Sequence, residues 1–257
     1  GCAIFPSGGS EAWARGVGAG VRIGLCWNEL AAAFDRWVAM TRISSRTKRA
    51  LAALLAAIGW FALAMQFPLL LKAAPEGQTA LESAIRFFSF FTIQINILAA
   101  VVVSAFVMKA RHDEWLVHPF VRSAIAAYIA VVAVVYHTVL AKLWEPQGAQ
   151  YVADLLLHTL MPLGYLLFWC GCVRKTGLRW YDPLLWLIYP AAYLLAVLVR
   201  GKWSGFYPYP FVDAAALGYA KVAVYAVHVL VLFLIAGAII VVAGRVMARF
   251  AENTDVG

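Results

Sequence analysis

Six stretches of this chain run for about 17 residues or more with hardly a charge among them, the length at which a helix crosses the hydrocarbon core of a bilayer. They cover residues 50–71, 85–108, 120–143, 152–173, 183–199 and 214–242. In lipid, such a run can satisfy its backbone polar groups only as a helix. The predicted fold is therefore all-α: a polytopic membrane protein built as a six-helix transmembrane bundle. The fifth run is the shortest, and the sixth is long enough to tilt or to project beyond the bilayer. Composition agrees, since 64% of the 257 residues are apolar and 13% are charged, against roughly 45–50% and 25% in soluble domains.

A net charge of +8 does not point to nucleic acid, because the cations form short clusters between the apolar runs and no basic soluble face. Arg42, Arg46, Lys48 and Arg49 precede the first run, and Lys109, Arg111 and Arg122 lie between the second and third. Arg174, Lys175 and Arg179 follow the fourth, and Arg245 and Arg249 follow the sixth. With six spans, all of these fall on one side. The other loops hold only Lys72 with Arg86, then Lys142, then Arg200 with Lys202. The positive-inside bias thus places both termini in the cytoplasm, and in a prokaryote the membrane would be the plasma membrane.

Residues 1–39 differ from the rest, and are expected to be a disordered arm or to lie ahead of a natural start at Met40. Residues 40–249 then form the six-span domain and 250–257 a cytoplasmic tail. The apolar run after Arg46 to Arg49 exceeds the roughly 7–15 residues of a signal-peptide core and lacks a small-x-small cleavage site, so it reads as a retained span. Cys2, Cys26, Cys170 and Cys172 make no disulfide framework, and the Cys170-x-Cys172 pair reads as small filler at the end of a span.

A charge at the centre of a span costs roughly 2.5–3.5 kcal/mol, so polar residues there call for a reason. At 1.5 Å per residue, Thr92, His158, Lys221, Gln66, His137 and Tyr193 fall about five to eight residues from the outer ends of their runs, a layer roughly 8–12 Å deep. Such a layer suits a cavity open to the outer leaflet; it also suits a polar packing core. His137, Thr138 and Gln66 fit either, as groups that hydrogen-bond between helices. Lys221 can snorkel to the interface, Tyr193 belongs to a cavity only if its hydroxyl points there, and His228 reads as a core histidine with a partner.

Thr92 and His158 can do chemistry together. A threonine hydroxyl becomes a nucleophile when a base takes its proton, and histidine is the side chain best suited to that near neutral pH. Asp154 precedes His158 by four residues, on the same helical face, where it would hold the imidazole tautomer or stand as an interfacial carboxylate. Asn96 follows Thr92 by four and could stabilise an oxyanion, as could Lys221. The aromatic segment from Trp203 to Phe211, with Tyr209 and two prolines, is an interfacial belt or a cap over the cavity. No three ligands stand at metal-ligand spacing, so neither metal nor cofactor is expected.

Phe91-Thr92-Ile93, His158-Thr159 with Pro162, Tyr193, Gly205, Tyr209-Pro210-Phe211 and Asp213 occur in an order and spacing that resemble the androgen-induced gene and androgen-dependent TFPI-regulating membrane proteins. The resemblance covers residues 50–245, while the place of Pro162 and the flanking Gln94 and Asn96 depart from the family pattern. It implies an intramembrane threonine hydrolase of fatty acid esters of hydroxy fatty acids, with Thr92 and His158 catalytic and a lipid ester from the bilayer as substrate. A transporter or small-ligand binder using the same cavity is the alternative, although no internal repeat or pair of broken helices is evident. A retinal-type receptor built on Lys221 would need a seventh helix. Oligomeric state is not legible.

Overall fold

The computed structural model describes residues 44–109, 115–143 and 145–254, the last four as backbone only. The expected arm, Arg42, Arg111, Cys2, Cys26 and the last three residues of the tail lie outside the described residues. The described residues are helices and connecting turns, with no strand among them. In chain order the helices are α1 (Ser45–Lys72), α2 (Ala80–Phe88), α3 (Phe91–Val107), α4 (Pro119–Thr138), α5 (Ala149–Cys172), α6 (Asp182–Ser204) and α7 (Tyr219–Thr254). Five of these (α1, α4, α5, α6 and α7) are long and apolar enough to cross a membrane, and the pair α2 and α3 makes up to a sixth. Their lengths and composition fit an integral multi-pass membrane protein. The outward faces agree: Phe61 is 58% exposed, Leu167 71% and Ile188 67%, a spread of apolar surface that water would not tolerate.

α3 and α4 sit centrally, with α1 packed along α3, and α5 and α7 against α4. Small residues set the spacing, since Ala99, Ala100 and Ala126 are fully buried and let the backbones approach. At Gly59 of α1, an added Cβ would lie 2.8 Å from Met161 Cε of α5 and 3.2 Å from Ala100 Cβ of α3, so three helices meet closely there and a larger residue would have to displace the methionine.

The largest departure from the expected spans is in the second, read as one helix over 85–108. It is two helices bent by 74°. A capping box formed by Thr79 and Glu82 starts α2 early, and the Ser89 hydroxyl donates back to the Ile85 carbonyl, a bond that competes with the helix and bends it. Phe90 is then extended, with φ −77° and ψ 126°, and α3 begins afresh. The sixth run also begins later than expected. Asp213 caps a four-residue turn, Ala214–Leu217, and Gly218 at φ 76° breaks it, so α7 starts at Tyr219.

The basic clusters gather at one end of the bundle, where Lys48, Arg49, Lys109, Arg122 and Arg174 line a single cavity. Lys175 reaches back to donate to the carbonyls of Trp169 and Cys170, both at 2.6 Å, at the end of α5. Burial pushes its ammonium pKa down to about 8.

Candidate active site

The bend between α2 and α3 places Thr92 in the first turn of a new helix, where backbone N–H groups have no partner within the helix. Phe90, at the N-cap, supplies no side-chain bond. Tyr209 takes that role from the far side of the sequence: its hydroxyl accepts from Thr92 N–H at 3.2 Å and lies 3.3 Å from Thr92 Oγ1. Burial pushes the Tyr209 phenol up in pKa, which keeps it neutral. The carbonyls freed at the bend are likewise taken, Ser89 by the Tyr193 hydroxyl at 2.8 Å and Phe88 by Gln94 Nε2 at 2.8 Å. Phe91 is packed among the rings of Tyr128, Tyr189, Tyr193 and Phe233, at centroid distances of 5.0 to 6.3 Å. Thr92 is thereby fixed from both flanks and remains only 7% exposed.

His158 sits in the second irregularity. Residues Leu156–Leu160 of α5 form a π turn, a local widening that recurs at functional sites. His158 Nδ1 lies 3.2 Å from Asp154 Oδ1 and 3.1 Å from the Asp154 carbonyl oxygen. Tyr136 of α4 stacks on the imidazole, with centroids 3.8 Å apart and planes 11° from parallel. Its hydroxyl donates to Asp154 Oδ2. The ring is held at Nδ1 and across its face, and Nε2 makes no hydrogen bond among the described residues.

Thr92, His158, Asp154 and Tyr209 line one cavity of about 390 Å³. Gln66 and Gln150 meet at its wall, with Nε2 of Gln150 donating to Oε1 of Gln66 at 2.9 Å. The rest of the lining is largely apolar, from Leu69, Leu70, Phe87, Ile93 and Leu157. Pro208, Tyr209 and Pro210 supply another wall, so the aromatic segment covers the cavity as well as reaching the surface at Trp203. Tyr207 keeps that segment close to α6: its ring lies where a Cβ on Gly201 would be, 2.1 Å away. Thr92 and His158 face this shared space without a direct hydrogen bond between them. Thr92 and Tyr209 also line a second, smaller cavity of about 70 Å³ with Tyr193 and Phe233, so the two spaces meet at the threonine.

Other residues expected in the layer go elsewhere. Lys221 lies in the first turn of α7 because Gly218 delays that helix; it is exposed and lines neither cavity. His137 is exposed and bonds Thr159 Oγ1 at 3.1 Å, an interhelical link. His228 is exposed and not in the core, and its Nδ1 lies 2.7 Å from the Val224 carbonyl oxygen of its own helix. Asn96 is fully buried and lines no cavity. Its Nδ2 donates to the carbonyls of Thr92 at 2.8 Å and Leu157 at 3.2 Å, so its role is to tie the start of α3 to the π turn beside His158. Tyr193 supports Thr92 from behind through Ser89. Tyr136 and Gln150 were not foreseen; the stacking partner of a histidine on another helix leaves no spacing signal.

Among the described residues, no three His, Cys, Asp or Glu side chains converge as a metal site. Comparison of the chain with protein-family models, curated proteins and solved structures gave no match.

Proposed function

We propose that the chain is a six-span membrane bundle with both termini in the cytoplasm, and an intramembrane hydrolase of lipid esters, of the type that the family resemblance implies. The observation carrying the catalytic reading is that a threonine at the start of a helix and a histidine paired to a carboxylate line one largely apolar cavity. Thr92 Oγ attacks the ester carbonyl as its proton passes toward His158 Nε2, and collapse of the tetrahedral species releases the alcohol with a proton from the imidazolium. Water, with His158 again as base, attacks the acyl-threonine and frees the acid. General-base transfer works across a direct hydrogen bond or through one intervening water, and a cavity of about 390 Å³ has room for that water. Asp154 holds the imidazole and offsets its charge, as the acidic member of a triad does. The start of α3 reaches the cavity through Thr92 and Ile93, where its positive end would stabilise a developing oxyanion, and Tyr209 orients the threonine hydroxyl.

The test is covalent. A hydroxyl activated by a base reacts with a fluorophosphonate, whereas a threonine that only packs does not. Mass spectrometry of the purified protein is expected to find the adduct on Thr92, absent in His158→Ala and weakened as pH falls, because an imidazolium cannot accept a proton. An intact fold with no adduct and no turnover across a panel of lipid esters would leave the cavity as a binding site only.

Orientation has its own test. Single cysteines at Gln147 and at Thr176, in a background without native cysteine, are expected to respond oppositely to an impermeant thiol reagent in intact cells. Gln147→Cys labels and Thr176→Cys does not, since the latter lies at the basic end. The reverse pattern would place the catalytic cavity in the cytoplasmic leaflet.

A further inference from the structure

The basic end of the bundle holds a further, chemically different cavity of about 640 Å³, lined by Lys48, Arg49, Lys109, Arg122 and Arg174. These five come from four places in the chain: the start of α1, the end of α3, the start of α4 and the end of α5. Among the described residues, no Asp or Glu lines the cavity and no ion pair engages any of the five. The positive-inside bias explains why cations lie on this face, but it needs them only in water. It does not explain their convergence on one space, nor the burial of Arg122 to 6% exposure. Arg122 Nε donates to the Leu116 carbonyl at 3.1 Å and its guanidinium lies over the Phe106 ring at 5.8 Å. The group is held in place by the protein and is not snorkelling to the surface.

A further feature suits an anion. Ser45 and Pro119, the first residues of α1 and α4, both line the cavity, so two long helices direct their positive ends toward it. Like charges around one space repel, and a polyvalent anion between them reverses the sign of that interaction.

We propose that this cavity binds a phosphate group, carried either by an anionic phospholipid headgroup at the membrane surface or by a small soluble phosphate. Basic pockets between transmembrane helices suit phospholipid headgroups for the same electrostatic reason. The site is separate from the Thr92 cavity and does not depend on ester hydrolysis.

The experiment uses the full chain, delipidated in detergent, with native mass spectrometry after addition of phosphatidylglycerol or phosphatidylcholine. Phosphatidylglycerol is expected to bind in preference. The variant Lys109→Gln/Arg174→Gln, at two exposed positions, is expected to weaken it roughly 25-fold, about fivefold for each cation removed. Lys142→Gln/Lys202→Gln, outside this cavity, is expected to leave it unchanged, which separates a built site from general charge. Lys48→Gln serves as a second probe of the cavity, with about a fivefold loss. Inorganic phosphate and pyrophosphate form the remaining arm: competition with the lipid by either anion at millimolar concentration identifies a soluble phosphate, and no competition identifies the headgroup. Equal binding of the two lipids together with no binding of either phosphate, or equal loss in the two double variants, would overturn the proposal.

Discussion

Thr92→Ala and His158→Ala are each expected to reduce ester hydrolysis to background, with the double variant hardly slower than either alone. The effect of losing His158 is on the order of 10²–10⁴-fold, the range of a positioned general base, and loss of the nucleophile costs at least as much. Near-equality is expected of the double variant because residues that act as one unit are non-additive, and removing the second then takes away nothing that the first left working. The structure limits the collateral damage. Thr92 N–H still donates to Tyr209 when the side chain is shortened, and the aromatic packing around Phe91 does not involve the hydroxyl. Thr92→Ser keeps an oxygen nucleophile and is expected to retain measurable turnover. Detergent elution and melting of the variants are the controls; wild-type turnover in either alanine variant removes that residue from the mechanism.

How much of this was legible in sequence depends on the type of information. The presence of several helices long and apolar enough to cross a membrane, and the clustering of cations between the apolar runs, are properties of composition over twenty residues, which a single chain carries openly. Counting residues from the ends of the runs sets Thr92 and His158 at one depth, on the premise of straight helices. It failed for Lys221, because one glycine of positive φ shifts the start of α7. For Thr92 it placed the residue about seven positions inside a helix, whereas Ser89 and Phe90 break that helix and set the threonine at a new N-terminus. The π turn around His158 has one local cue, Pro162, which has no N–H to give the His158 carbonyl four residues earlier and so disturbs the helix there. Asn96 shows the same limit in another form: its spacing from Thr92 was read correctly as one face of a helix, but the face turns toward Leu157 and away from the cavity. Periodicity tells which residues share a face, and packing decides what that face meets.

Asp154→Asn is expected to lower kcat by about 10²-fold with little change in KM, less than the roughly 10⁴-fold loss seen when the acidic member of a serine-protease triad becomes an amide. The difference comes from the geometry of Nδ1. In that triad the amide substitution leaves the imidazole in the wrong tautomer. Here the main-chain carbonyl oxygen of residue 154 also lies 3.1 Å from His158 Nδ1, as near as the carboxylate at 3.2 Å, and a side-chain substitution does not remove it. The proton therefore keeps an acceptor at Nδ1, and Nε2 stays free to act as base. What is lost is the negative charge that stabilises the imidazolium formed in the transition state, an interaction absent from the ground state, which is why kcat falls and KM does not. Tyr136→Phe separates charge from positioning, since it removes the hydrogen bond to Asp154 Oδ2 while retaining the ring stacked on His158. It is expected to cost about tenfold or less, as loss of one hydrogen bond to a charged group amounts to roughly 1.5 kcal/mol at the low end of its range. Steady-state kinetics on a single lipid ester measure both variants. A rise in KM without a fall in kcat for Asp154→Asn would make the carboxylate a substrate contact, and unchanged kinetics would make the Asp154–His158 pair a strut of α5 with no part in the chemistry.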